Sequence, residues 1–160
     1  MKSIRYAFLT CLAIIGATAP AHAAFQLLYV VIGVFDNGGL ADNGVATSIH
    51  CANVSTTTSG NARVHVRRKD GTVAGSVLTQ TIPPQGTVTF STHPTLLFVD
   101  AGLNESLGTG VVAQGSARIS SETPTLVVCS AELIDASSTV PTGASRRMIK
   151  FPRSTSGGED

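Results

Sequence analysis

The sequence lacks tryptophan, and it is poor in aromatic and in charged residues. Aromatic residues make up 5% of the 160 positions, and Asp, Glu, Lys and Arg together make up 13%. No H-x-H, H-E-x-x-H or C-x-x-C pattern occurs, so none of the common local metal motifs is present. No Gly-x-Ser-x-Gly elbow occurs either, which removes the usual mark of an α/β-hydrolase serine.

No carboxylate pair stands out, so Glu132 and Asp135 receive no general acid or base role. We therefore expect a protein that is not an enzyme and has no cofactor.

The N-terminal segment has the three parts of a secretory signal peptide. Lys2 and Arg5 form the basic region, residues 7–17 form an apolar core, and Ala21-His22-Ala23 provides small residues for cleavage after Ala23. We predict a signal peptide over 1–23, one domain over 24–153 and a disordered polar tail over 154–160. The mature chain is then periplasmic or extracellular, without an integral membrane segment.

Cleavage changes the charge balance of the chain. Lys2 and Arg5 are the only charged side chains of the leader, so nine basic residues remain of 11, against 10 acidic ones. This nearly neutral balance argues against general binding of nucleic acid. We expect an envelope or extracellular partner instead. The charge balance does not indicate the oligomeric state.

Two cysteines, Cys51 and Cys129, remain after the leader is removed. In an oxidising compartment two cysteines most often pair, so we predict one disulfide between them. Closing a loop of about 78 residues stabilises the fold by about 4 kcal/mol in the loop-entropy model. Strand alternation places both cysteines on core faces and turns His50 to the opposite side from Cys51, so this histidine cannot act as a base for that thiol.

Alternating and short apolar segments, separated by Gly and Pro turns, recur about every ten residues. They predict a single antiparallel β-sandwich of the immunoglobulin-like or Greek-key kind, with about seven to nine strands and one core disulfide. The run at 27–35 is apolar almost throughout, which predicts a strand buried on both faces. The predicted strands are 27–35, 46–54, 62–68, 72–81, 87–92, 111–121, 125–135 and 147–151, and the short apolar segment 96–99 would be a ninth.

Two residue sets are candidates for binding. His50 and His65 both point outward in this interpretation, and they would form a copper or zinc site if their strands pair, with Met148 as a soft ligand. The alternative is that both histidines are solvated surface residues without a ligand.

The second set is basic: Arg63, Arg67, Arg147 and Lys150 would form a patch for an anionic glycan if their strands share a sheet. The alternative is a charged strand face that keeps an edge from pairing with other chains.

The phrases IHCANVS, RRKDGTV, TFSTH, AQGSARI and VCSAELIDA are spread from Thr47 to Phe151. Together they resemble a group of small exported bacterial proteins of unknown function. The resemblance implies a β-sandwich with a single disulfide and brings no catalytic residues. The sequence thus predicts a non-enzymatic structural or binding module at the cell envelope, with metal binding and anionic-glycan binding as the alternatives.

Overall fold

The computed structural model describes residues 24–39, 43–102 and 111–152. The predicted signal peptide 1–23, the predicted tail 154–160 and residue 153 lie outside the described residues. Ten strands occur in the described part: β1 (Gln26–Asp36), β2 (Val45–Asn53), β3 (Gly60–Arg68), β4 (Val73–Ile82), β5 (Thr87–Ser91), β6 (Asp100–Gly102), β7 (Val112–Ser121), β8 (Val127–Asp135), β9 (Ala144–Ser145) and β10 (Met148–Lys150).

The strands form two five-stranded sheets with the core between them. Sheet A has the order β10–β1–β7–β3–β4, and sheet B has the order β6–β5–β2–β8–β9. Every neighbouring pair is antiparallel except β5 and β6, which run parallel. The prediction of an all-β sandwich is confirmed. No helix of the described residues is long and apolar enough to cross a membrane.

The predicted strands with clear alternation agree with the structure to within two residues at each end. Two strands were not predicted, β6 and β9, because segments of three and two residues are too short to show a period. The apolar segment 96–99 is not a strand; it belongs to an irregular segment that ends on the outer face of sheet B.

The core consists of the side chains that alternate toward the partner sheet. Ile49, Val64, Phe90 and Ile119 are fully buried at 0% exposure, and each belongs to a different strand. The predicted inward positions on β2, β3 and β5 are therefore confirmed. Because inward residues alternate with outward ones, the same strands present a second set of side chains on the outer faces of the sandwich.

Strand β1 is buried on one face only, so the prediction of burial on both faces is wrong. Val31 and Val34 are almost completely buried, whereas Ile32 between them is 49% exposed. An apolar run does not itself supply a covering layer. In a two-layer sandwich the second face of β1 is the outer face of sheet A.

Cys51 and Cys129 form the predicted disulfide, which joins neighbouring strands of a single sheet. They are register partners on β2 and β8, with Cα atoms 4.1 Å apart. Register partners in an antiparallel pair lie on the same face. That face is the inner one, because Cys51 is 1% exposed and Cys129 packs against the core. His50 therefore lies on the outer face, as predicted.

Polar contacts connect sheets A and B at the end of β1. The Thr47 hydroxyl donates to the carbonyl of Phe35 at 2.8 Å and accepts from its amide at 2.9 Å. The Nδ1 atom of His93, which follows β5, lies 2.9 Å from Oδ2 of Asp36. Both side chains of this second pair are less than one-tenth exposed, so the pair links the sheets inside the protein.

The environment of Asp36 favours its ionised form. Burial raises the pKa of this carboxyl, but hydrogen bonds from His93, the Gly38 amide and Thr92 lower it by more. The pKa of Asp36 is therefore below its ordinary value. The stabilisation associated with this shift is present at neutral pH and is lost as the pH falls through the pKa of the folded state.

Candidate functional site

The two candidate metal-binding histidines lie in different sheets. His50 is on β2 of sheet B and His65 is on β3 of sheet A. Since β2 and β3 do not pair, the shared site that strand pairing would create does not form. Met148 packs against the core. Across residues 24–39, 43–102 and 111–152, no group of three or more His, Cys, Asp or Glu side chains could hold a metal ion.

His65 points outward from β3 but is only 6% exposed. The interpretation of this residue as a solvated surface histidine is wrong because long neighbouring side chains lie beside it. Arg67 Nε is 3.4 Å from His65 Nε2, and Arg118 on β7 is the register partner of His65. The histidine is therefore part of an arginine cluster.

Three arginines lie side by side on the outer face of sheet A. Arg63 and Arg67 extend outward from β3, on the face opposite the buried Val64. Arg118 pairs with His65 and therefore extends from β7 on the same face. The spacing of strands and residues places the Cα atom of Arg118 about 8 Å from those of Arg63 and Arg67. Arginine side chains are long enough for all three guanidinium groups to contact one anionic ligand.

Neighbouring groups hold two of these arginines in place. The guanidinium carbon of Arg63 lies 5.0 Å from the centroid of the Phe25 ring, a cation–π distance. Arg67 Nη1 donates to the carbonyl of Gly71 at 2.9 Å. Gly71 is in the β3–β4 turn and has φ +86°, a conformation that favours glycine. Two of the three guanidinium groups thus have fixed contacts before any ligand binds.

The other two predicted cations, Arg147 and Lys150, are at the β10 edge of sheet A. Lys150 is the register partner of Tyr29, whose side chain packs against the core. Alternation then directs Arg147 outward and Lys150 to the inner side of the edge strand. Two strand spacings, about 10 Å, separate β10 from the strand of Arg118. Arg63, Arg67 and Arg147 therefore share one face, and Lys150 does not.

Charge is divided between the two sheets. In the described part of the chain, every Lys or Arg within a strand belongs to sheet A: Arg63, Arg67, Arg68, Arg118 and Lys150. The acidic strand residues of sheet B are Asp100, Glu132 and Asp135, while sheet A has only the buried Asp36. The sandwich consequently has one basic sheet and one acidic sheet.

An open cleft of about 290 Å³ lies on the outer face of sheet B. Within it, His50 Nε2 is 3.2 Å from Glu132 Oε1, and His50 Nδ1 is 3.0 Å from Thr89 Oγ1. A neutral imidazole satisfies both contacts when Nε2 donates to the carboxylate and Nδ1 accepts from the hydroxyl. The cleft is lined by His50, Phe98, Ser130, Ala131, Glu132 and Ser145.

The position of Glu132 depends on its register and on one glycine. Glu132 pairs with Ser48 of β2 and with Ser145 of β9. A Cβ atom added at Gly143 would be 2.6 Å from Oε2 of Glu132 and 2.7 Å from Cγ2 of Ile134. The absence of a side chain at this position therefore leaves room for the carboxylate.

The irregular segment 92–99 has the buried His93 near its start, between the sheets, and ends on the outer face of sheet B, where Phe98 forms one wall of the cleft. Asp100, directly after it, accepts hydrogen bonds from the amide and hydroxyl of Thr95 at 2.8 and 2.7 Å. The amide of Leu96 donates to the carbonyl of Ala136 at 2.9 Å, just beyond β8. The segment is thus fixed at its middle and at its end.

Phe98 is the residue of this segment that contacts the cleft. Its ring meets that of His50 at an interplanar angle of 61°, with centroids 4.6 Å apart. It also packs on a small second apolar cluster on the outer face, formed by Ala46, Ile134 and Ala136. The aromatic wall of the cleft is therefore anchored on both sides.

Sequence reasoning missed Arg118, and it assigned no role to Glu132 or Phe98. Alternation along the predicted strands already directs Arg118 and Glu132 outward, so part of the signal was present. What was missing is the strand order, which brings Arg118 to His65 and Glu132 to His50. Phe98 carried no signal, because its apolar segment 96–99 is too short to show a period.

Comparison with family models, with curated proteins and with solved structures finds no match to this chain. The resemblance to small exported bacterial proteins therefore stays a prediction. The geometry of the two outer faces is the basis for the function proposed below.

Proposed function

We propose that this chain is an exported, non-enzymatic binding module of the cell envelope, and that it binds an anionic glycan on the outer face of sheet A. The observation that carries the proposal is the group of Arg63, Arg67 and Arg118 on adjacent strands. Guanidinium groups bind carboxylates and phosphates through paired hydrogen bonds. Export rests on the predicted signal peptide, and the disulfide supports it because such bonds persist in oxidising compartments.

Protection of a sheet edge does not account for these arginines. Charged residues on an edge strand prevent pairing with other chains. However, β3 lies between β7 and β4, and β7 is at the centre of sheet A. Of the four predicted cations, Arg147 and Lys150, at the β10 edge, are the two placed for that role. A group of cations on interior strands favours ligand binding instead.

Apolar side chains accompany the arginines on the same face. Ile32 is 49% exposed and Ile149 is 40% exposed. Such a surface suits a ligand in which phosphate or carboxylate groups stand beside apolar parts. Lipopolysaccharide has this chemistry, and it is therefore the first probe to use.

The test is binding of the mature protein to immobilised lipopolysaccharide at low and high salt, with neutral dextran as the control ligand. Replacing Arg63, Arg67 and Arg118 by alanine should weaken binding about tenfold, since exposed charge contacts contribute about 0.5 kcal/mol each. The pair Arg67→Ala and Arg147→Ala should weaken it less. Lys69→Ala, in the exposed β3–β4 turn, is the matched control and should leave binding unchanged.

Three results would contradict the proposal. Binding that does not depend on salt would show that the arginines are not the contact, and so would equal losses in the triple variant and in Lys69→Ala. Turnover of an ester, peptide or glycoside that His50→Ala abolishes would show that the protein is an enzyme. The export component is tested separately, by determining whether the N-terminus of the secreted protein is Ala24.

A further inference from the structure

The cleft on sheet B has a chemistry opposite to that of the arginine face. We propose that it binds a primary alkylammonium group, with Glu132 as the counter-ion and Phe98 as the aromatic wall. The site goes beyond the glycan-binding function, because it lies on the other sheet and attracts the opposite charge.

The charge of the cleft indicates the charge of the ligand that it binds. When the imidazole of His50 is neutral, its Nε2 donates to Glu132 and orients the carboxylate without neutralising it. The six residues that line the cleft include no Lys or Arg. The Glu132 side chain is 24% exposed, and a partly desolvated charge interacts with a ligand more strongly than one in bulk water. A cation is therefore the ligand that the cleft attracts.

The remaining lining residues narrow the kind of cation. Phe98 supplies a ring, and aromatic rings attract ammonium groups. Ser130 and Ser145 supply hydroxyl oxygens that accept hydrogen bonds, and a primary ammonium has three N–H groups to donate. A quaternary ammonium would use the ring but leave these acceptors without a donor. The combination of carboxylate, hydroxyls and ring favours the primary amine.

The size of the cleft limits the ligand to a small group. Its volume of about 290 Å³ is at the lower end of the range for small-molecule sites, which is about 300–1,000 Å³. An ammonium head with a short alkyl or hydroxyalkyl chain fits this space. Free amines, ethanolamine head groups and lysine side chains all present that group.

The site is also formed before a ligand binds. Thr89 fixes the orientation of His50, His50 fixes Glu132, and the packing of Phe98 holds the ring beside them. His50 and Thr89 are thus positioning residues, while Glu132 and Phe98 contact the ligand. Preorganisation of this kind reduces the entropy that is lost on binding.

The experiment is an NMR titration of the mature protein with ethylammonium, with 1-propanol as a neutral ligand of similar size. We expect ethylammonium to shift the amide signals of Ser130, Glu132 and Ser145, and 1-propanol to leave them in place. Ethanolamine and the amide of N-acetyl-lysine then distinguish a head group from a lysine side chain. Tetramethylammonium should bind less well than ethylammonium.

Variants locate the interaction. Glu132→Gln should weaken ethylammonium binding about tenfold, and Phe98→Leu should weaken it about threefold. Asp135→Asn removes a charge from the same strand outside the cleft and should have no effect. Gly143→Ala keeps the charge but displaces the carboxylate, so it should also weaken binding. A melting curve for each variant shows whether a loss of binding reflects unfolding.

The proposal is overturned if 1-propanol shifts the same signals as ethylammonium. It is also overturned if folded Glu132→Gln binds as well as the wild type, or if Asp135→Asn loses as much affinity, since diffuse attraction would then be the cause. The variant lacking Arg63, Arg67 and Arg118 should still bind ethylammonium. Failure of this site and failure of the glycan-binding face are therefore distinguishable.

Discussion

Reducing the Cys51–Cys129 disulfide should cost this protein a large part of its stability. The bridge closes a loop of 78 residues. In the loop-entropy model this removes about 15 cal/mol/K from the unfolded chain, or about 4.5 kcal/mol at 25 °C. The net stability of a typical domain is about 5–15 kcal/mol. Comparing oxidised with reduced wild-type protein keeps the side chains constant, so no cavity contributes to the difference.

The assay is urea unfolding at equilibrium, with and without a thiol-free reductant. We expect the midpoint to fall by about 2 M, because urea slopes are about 1–3 kcal/mol/M for small proteins. The slope should rise on reduction, since the unfolded chain then exposes more surface. A difference below about 1 kcal/mol would refute the loop-entropy reasoning. It would mean that β2 and β8 stay associated in the reduced unfolded state, which their adjacency in sheet B makes physically reasonable.

Three further changes test the core and its polar contacts. Asp36→Asn should lower the free energy of unfolding by about 2 kcal/mol at neutral pH. Its difference from the wild type should narrow as the pH falls below the ordinary pKa of an Asp carboxyl and through the lower pKa of folded Asp36, because protonation removes the contribution of the carboxylate; a constant difference from pH 7 to pH 2 would contradict this. Phe90→Ala should lower the free energy of unfolding, measured in urea, by about 3–5 kcal/mol, because the ring is fully buried. A loss of less than about 1 kcal/mol would contradict the burial of this ring in the core. Asn53→Asp should lower the melting temperature more than Asn53→Ala does. The side-chain amide of Asn53 donates to three backbone carbonyls at 2.8 to 3.2 Å, and a carboxylate would face these carbonyls without a donor.

The sheets were predictable from the sequence where side chains alternate in long strands. The inward positions of Ile49, Val64 and Phe90 follow from a period of two, and the disulfide follows from the number of cysteines left after the leader. The one-sided burial of β1 did not follow, because an apolar run does not reveal how many layers cover it. The two shortest strands exist only through pairing with longer neighbours, so they carry no local pattern of their own.

The candidate sites depend on strand order, which alternation does not contain. His50 and His65 seemed equivalent as outward histidines, yet the structure separates them onto opposite sheets. Each acquires a different neighbour, Glu132 in one case and Arg67 in the other. The sequence predicted the direction of each side chain. The contacts of His50, however, come from residues between 39 and 82 positions away, and those of His65 include an arginine two positions along the same strand.

The placement of the disulfide also has a mechanical consequence. Strands β1 and β10 pair in antiparallel fashion, with Tyr29 opposite Lys150, so a force on the segments before β1 and after β10 breaks their hydrogen bonds one after another. Once these strands separate and β1 has also come away from β7, the load reaches the covalent bridge between Cys51 and Cys129. The intervening loop, roughly 260 Å of extended chain, is then shielded from the force. Under tension the protein would lengthen only through the chain outside that loop, and β7, within the loop, would carry load only while it stays paired with β1.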